Sequence, residues 1–149
     1  MSQSLVRNVV HIVFSTKYRK PLIRPDIEND LYRYIAATCL KLECHDPCVG
    51  GYRNHVHILC ALSKNTPLAT VVKKIKVSSS FMMKSKHKMP EFYWQLGYAA
   101  FSVSCNRRDG VARYIKNQAW HHDRQKFEEE LIKLLKAQKI VYDERYLWD

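Results

Sequence analysis

The sequence predicts an α+β domain of the ferredoxin-like split βαβ type: a four-stranded antiparallel sheet with helices on one face, plus C-terminal helices. Three observations carry this. Patterned segments follow one another in the order β-α-β-β-α-β and then two helices. Apolar residues alternate in the strand segments but recur at helical spacing in the others. No linker or internal repeat interrupts the 149 residues, so residues 1–149 read as a single domain.

The first strand is "NVVHIVFSTKY", rich in β-branched residues, and the basic, proline-broken "TKYRKPLIRP" after it reads as a loop. A helix is expected from Asp26 to Leu42, with Asp26 as N-cap and Ile27, Leu31, Ile35, Thr38 and Leu42 at helical spacing. "DPCVGGYRN" turns through a Gly-Gly pair into a second strand, and "HVHILCAL" is a third that pairs with it as a hairpin. Pro67 opens another helix that buries Leu68, Val71, Val72, Ile75, Ser79 and Met82, with Lys73, Lys74 and Lys76 mostly on its other side. "KSKHKMPEFYWQLG" is an irregular connection to a fourth strand, "YAAFSVSC". One helix is then expected from about Val111 to His122, and a last amphipathic one holds Phe127, Leu131, Leu134 and Leu135.

With 46% hydrophobic residues, few Gly and Pro and no low-complexity segment, the chain reads as globular. Lysine and arginine exceed acidic residues by 25 to 14, a net charge of +11 that favours a polyanionic partner, nucleic acid rather than membrane. No apolar run is long enough to cross a bilayer and no signal-peptide core opens the sequence, so a cytoplasmic location is expected. Five cysteines without an export signal read as reduced thiols. Cys44, His45 and Cys48 lie at zinc-like spacing, but no second ligand pair follows.

Chemistry enters with "RNHVHILCAL". Strand alternation puts His55 and His57 on one face and Val56, Ile58 and Cys60 on the other. If the apolar set faces the helices, both imidazoles lie on a face left open unless an added element or a second subunit covers it. Two neutral histidines can share a cation and leave positions for substrate oxygens. Being placed away from the core, both should be replaceable by alanine with little harm to the fold. In "VARYIKNQAWHH", Tyr114 and Gln118 are four apart and share a helix face, with His121 and His122 one turn further. Tyr114 is a candidate nucleophile and Gln118 a candidate oxygen ligand, with His121 or His122 as rival third ligands. A tyrosine suits breaking and rejoining DNA, because a phosphotyrosine conserves the ester for a later 3′-hydroxyl to reverse the step.

"HIVFSTKYRKPLI", "NHVHIL", "WQLGYAAFSVS" and "VARYIKNQAWHH" together resemble, in that order, the signature stretches of single-tyrosine His-hydrophobic-His transposases. These include the type associated with repetitive extragenic palindromes, and the resemblance runs from about His11 to the tail. It implies a homodimer acting on single-stranded DNA folded into hairpins. It implies His55, His57 and Gln118 as ligands of Mg²⁺ or Mn²⁺, with no organic cofactor. It also implies Tyr114 as the nucleophile, keeping the 5′ phosphate and freeing a 3′-hydroxyl. In related transposases the tyrosine helix of one subunit can complete the site of the other. One departure is Asn54, where relatives often carry an acidic residue; its amide can orient His55 but brings no charge.

Lys17, Arg19 and Lys20, with Lys73, Lys74 and Lys76, are candidate phosphate contacts. Phe92, Tyr93 and Trp94 could stack on bases or pack under their loop, packing being favoured for Trp94. His11 reads as a buried, satisfied histidine, and Tyr146 and Trp148 should pack against a neighbouring element. The expected function is metal-dependent cleavage and rejoining of single strands at hairpin-marked ends. The rivals are a derived hairpin-binding protein that does not cut, and a replication-initiator nickase.

Overall fold

The computed structural model describes residues 2–122 and 124–149. Its elements are β1 (Val9–Ser15), α1 (Glu28–Lys41), β2 (His45–Tyr52), β3 (His55–Ala61), α2 (Leu68–Ser85), β4 (Ala99–Ser102), α3 (Arg108–Lys116), α4 (Gln118–His122) and α5 (Phe127–Ala137). The strands form one sheet in the order β2-β3-β1-β4, every pair antiparallel. This is the expected α+β architecture. Among the described residues no helix is long and apolar enough to cross a membrane.

Alternation divides each central strand between two layers. Val10, Ile12 and Phe14 of β1 and Val56, Ile58 and Cys60 of β3 turn to α1 and α2. There they meet Leu31, Ile35 and Cys39, and Val71, Val72, Ile75 and Met83, in the main core. Phe92 and Trp94 join it, so the irregular connection is anchored by packing, as expected for Trp94, whose indole N–H donates to Ser79 Oγ at 2.9 Å. Tyr93 between them is exposed.

The second face is not open. α3 covers one part of it, with Ala112 and Ile115 on Val9, Cys48 and Leu59. α5 covers another, with Phe127, Leu131 and Leu135 on Val13 and Phe101. The chain supplies its own third layer, so no second subunit is needed to bury this face.

Local departures have local causes. α1 begins at Glu28 rather than Asp26, whose carboxylate pairs with Arg24 at 3.2 Å instead of capping. The helix expected from Val111 to His122 is broken at Asn117. That residue's N–H still bonds the carbonyls of Arg113 (3.1 Å) and Tyr114 (3.3 Å), but its backbone leaves helical geometry at φ −99° and ψ 23° and ends α3. The zinc-like triplet is dispersed: Cys44 lies in the main core, Cys48 faces α3, and His45 is exposed. All five cysteines are free.

Candidate active site

β3 places His55 and His57 on the face under α3–α5, and both are fully buried. Their register partners on β2 are Tyr52 and Gly50. Gly50 matters for reach. A Cβ there would lie 2.6 Å from the carbonyl oxygen of Ile115, so α3 rests on bare backbone, close enough for Tyr114 to meet His57 with ring centroids 5.8 Å apart.

Three further side chains complete a buried polar cluster. Gln118 and His122 come from α4, and Glu130 comes from α5. Sequence reasoning misses Glu130, although it lies three residues after Phe127 on the apolar stripe of α5, the one acid of "FEEEL" turned inward. Its Oε1 lies 3.0 Å from His57 Nε2, 3.4 Å from His122 Nε2 and 3.5 Å from His55 Nε2. Its Oε2 accepts from Gln118 Nε2 at 3.2 Å and from the Tyr114 hydroxyl. Tyr114 and Gln118 therefore do converge, across the helix break, on one carboxylate.

Behind the first ring of contacts stand orienting partners. His11 is buried and meets His57 Nδ1 through Nε2 at 2.8 Å, a satisfied histidine as the strand pattern suggests. Asn54 Oδ1 lies 2.9 Å from His55 Nδ1, and the Asn54 amide N–H donates to the Arg19 carbonyl at 3.3 Å. That second bond fixes which end of the amide faces His55, and so the Nδ1 proton donates to Asn54.

The electrostatics follow from burial. Desolvation lowers the His55 pKa to about 4, and desolvation with repulsion from His57 lowers that of His11 to about 3, so both are neutral at pH 7. Burial alone would raise the pKa of Glu130, but the His122, His55 and His57 imidazoles against it outweigh that and hold the carboxyl far below the usual range. Burial, and then the charge of Glu130, push the Tyr114 phenol above its ordinary value.

A cation fits this donor set. With its proton on Nδ1, neutral His55 directs the Nε2 lone pair at Gln118 Oε1, 3.0 Å away, and toward Glu130 Oε1. Lone pairs facing one another across a buried space are relieved by a cation, whether a proton or a metal ion, placed between them. Ligand atoms of His55, His122 and Glu130 all lie within 4.8 Å of one another. His122 rather than His121 thus joins the donors, while the His121 ring packs on Tyr114 at 4.6 Å. His57 touches the set through Glu130.

The basic residues separate into three groups. Arg19, in the turn after β1, pairs with Glu128 of α5 at 2.8 Å, and Lys17 and Lys20 beside it are exposed next to the site. Lys73 and Lys74 are exposed on α2, across the sheet from the histidines. There they line a groove of about 590 Å³ with Tyr34 and Lys41 of α1. Lys76 differs from the expectation of a phosphate contact. Its ammonium donates to the carbonyls of Gln95 (2.9 Å), Leu96 (3.1 Å) and Gly97 (2.6 Å), and burial lowers its pKa to about 8. All three of its donors serve the fold.

Comparison with known proteins agrees with the geometry. No curated protein matches the sequence. Among solved structures, a Deinococcus radiodurans protein provisionally assigned as a transposase is 21% identical with a TM-score of 0.62, over 79% of this chain and 96% of its own. A tyrosine transposase associated with REP sequences, solved bound to a REP hairpin, is 12% identical with a TM-score of 0.57, over 82% of this chain and 74% of its own. At such identities these similarities show the shared fold. The family model for IS200-like transposases matches residues 4–118, well over half of the chain, and the chain therefore belongs to that family.

Proposed function

We propose that this transposase-family protein cleaves and rejoins single-stranded DNA at hairpin-marked ends, with Tyr114 as nucleophile and a divalent cation, Mg²⁺ or Mn²⁺, at His55. The observation that carries the reading is the meeting of a tyrosine hydroxyl, the two strand histidines His55 and His57, and Gln118 around one buried point. Their types suit phosphodiester chemistry better than a purely structural polar cluster, which would not need an imidazole lone pair aimed at two oxygens.

In the reaction, Tyr114 Oη forms a bond to phosphorus as the P–O3′ bond breaks. The phenol loses its proton, and the leaving oxygen takes one up as a 3′-hydroxyl. The 5′ phosphate stays on the tyrosine, and rejoining reverses the step with a new 3′-hydroxyl. A bound cation supplies charge stabilisation for the phosphate oxygens and a lower barrier to phenol ionisation. His55, His57 and Gln118 would hold it, with His122 and Glu130 as the further donors within reach. Asn54 keeps the His55 lone pair aimed inward. Lys17 and Lys20 lie where a strand approaching this face would bring its phosphates, and Lys73 and Lys74 offer a second basic surface on the far side. Because Tyr114 meets the histidines of its own chain, on this reading the homodimer that the resemblance implies would serve assembly rather than chemistry; light scattering tests it.

The deciding experiment is incubation with single-stranded hairpin oligonucleotides and Mn²⁺ or Mg²⁺. A covalent protein–DNA adduct should form, and Tyr114→Phe should abolish it. An adduct that persists in the variant removes Tyr114 from the role. Hairpin binding with no cleavage of any substrate would favour the non-cutting alternative.

A further inference from the structure

α4 turns its residues two ways. Gln118 and His122, four apart, face inward to Glu130. Trp120, midway between them, points outward and is 56% exposed. The other two tryptophans are placed differently: Trp94 lies in the main core, and Trp148 is half-buried against Arg19.

Rings connect Trp120 to the proposed nucleophile. Its indole meets the His121 ring edge-on at 5.2 Å and 82°, and His121 packs on Tyr114 at 4.6 Å. One imidazole therefore lies between an exposed aromatic surface and Tyr114. The indole also carries a cation. The Arg124 guanidinium sits 4.2 Å from the ring centroid, and Arg124 Nη1 donates to the Trp120 carbonyl at 3.3 Å. Between residues 113 and 126 the chain supplies Arg113, Lys116, Arg124 and Lys126, all exposed, against a single acid.

We infer that Trp120 is a stacking platform for an unpaired DNA base beside the scissile phosphate, with Arg124 taking that nucleotide's phosphate. The inference rests on the strand-cleavage reading and names where the substrate strand is gripped. Single exposed aromatic residues are common on protein surfaces. What marks this one is the cation on its ring together with the ring contact that leads to Tyr114. Any unpaired base offers a π face, so an exposed indole takes single strands and not duplex, whose bases already stack on one another. The guanidinium–indole pair is the DNA-free form of the same arrangement. A base displaces the guanidinium from the ring, and the released cation meets the phosphate, so neither group loses a partner. With only His121 between the two rings, a base on Trp120 belongs to a nucleotide next to the bond that Tyr114 attacks. Holding that nucleotide limits the swing of its phosphate, and the rate of attack depends on that approach.

The test compares a hairpin oligonucleotide carrying single-stranded oligo-dA flanks with the same hairpin carrying abasic flanks of equal length and charge. Chelator is present, so binding is read without cleavage. The wild type should bind the dA-flanked hairpin about tenfold more tightly. In Trp120→Ala that ratio should fall close to one, and in Trp120→Phe, which keeps a ring, most of it should remain. The dA flanks should quench tryptophan emission in the wild type but not in Trp120→Phe. A ratio unchanged in Trp120→Ala, or quenching that survives in Trp120→Phe, overturns the platform. With Mn²⁺, a single abasic residue moved along the flank should slow adduct formation most beside the cleaved bond, and Trp120→Ala should remove that position dependence. A dependence that persists in the variant places the base elsewhere and overturns the inference. A collapsed ratio with no adduct from any hairpin would instead sink the cleavage reading and leave a stacking site standing.

Discussion

The two faces of the sheet are built from the same strands and do opposite work. Toward α1 and α2, Ile12, Phe14, Val56 and Ile58 feed one continuous apolar core. Toward α3–α5, residues one position away along the same strands present His11, His55 and His57, with small apolar clusters on either side. The first face holds the fold by burying area, which depends on volume and little on direction. The second holds a charge, so each member depends on particular neighbours. The sheet thus lets chemistry sit next to the core without sharing its interactions.

The sharpest way to test that division is to cut on the polar side. Replacing both His55 and His57 by alanine strips Glu130 of two partners in a buried space, and should destabilise by about 3–5 kcal/mol in denaturant titration. The full burial of both rings runs against the expectation, drawn from strand alternation, that both could be removed with little harm. Facing away from the main core is not the same as facing water. Adding Glu130→Gln to the pair should restore part of the loss; no recovery would mean that the cost lies in packing.

Acid provides a graded version of the same cut. His55 and His11 have folded pKa values near 4 and 3 against an ordinary 6.5. Between pH 6.5 and 4 the unfolded chain takes up protons that the folded chain refuses. Stability is therefore full above pH 6.5 and falls as pH drops toward 4. Below the ordinary carboxyl range Glu130 adds to the fall in the same direction, since its folded pKa is also depressed. Each tenfold difference in proton affinity between the folded and unfolded chain is worth about 1.4 kcal/mol, so the loss by pH 4 should be a few kcal/mol. Thermal midpoints from pH 7 to pH 4 in chelator would check it, and a flat profile would show that the histidines are not held neutral.

The apolar face should answer more gently to a change of similar size. Ile58→Val, one residue from His57, should cost about 0.5–1.5 kcal/mol in the same titration and leave the acid profile in place. A displaced profile would mean that the two faces are coupled.

Much of this is legible in the chain. Period-2 alternation in "HVHILC" places both imidazoles on one face; Tyr114 and Gln118 do meet, though through Glu130 and across a helix break rather than on one helix face. What stays hidden depends on partners distant in sequence. Glu130 sits in a run of three glutamates, and only the packing of Phe127 and Leu131 on Val13 and Phe101 decides which one turns inward. Lys76 looks like its neighbours on α2 until the irregular Gln95–Gly97 backbone presents three carbonyls to it. The break at Asn117 has no proline or glycine to announce it. Its neighbours on both sides are nevertheless drawn to the same carboxylate.

Gly50 sets a dimension. With hydrogen in place of a methyl group, α3 settles onto β2 at backbone contact, and the height of that contact decides how far the Tyr114 hydroxyl hangs over the histidines. The reach of the Tyr114 hydroxyl is thus encoded on another strand, by a spacer of no thickness. Lengthening it by one carbon would detune the chemistry while every polar group kept its identity.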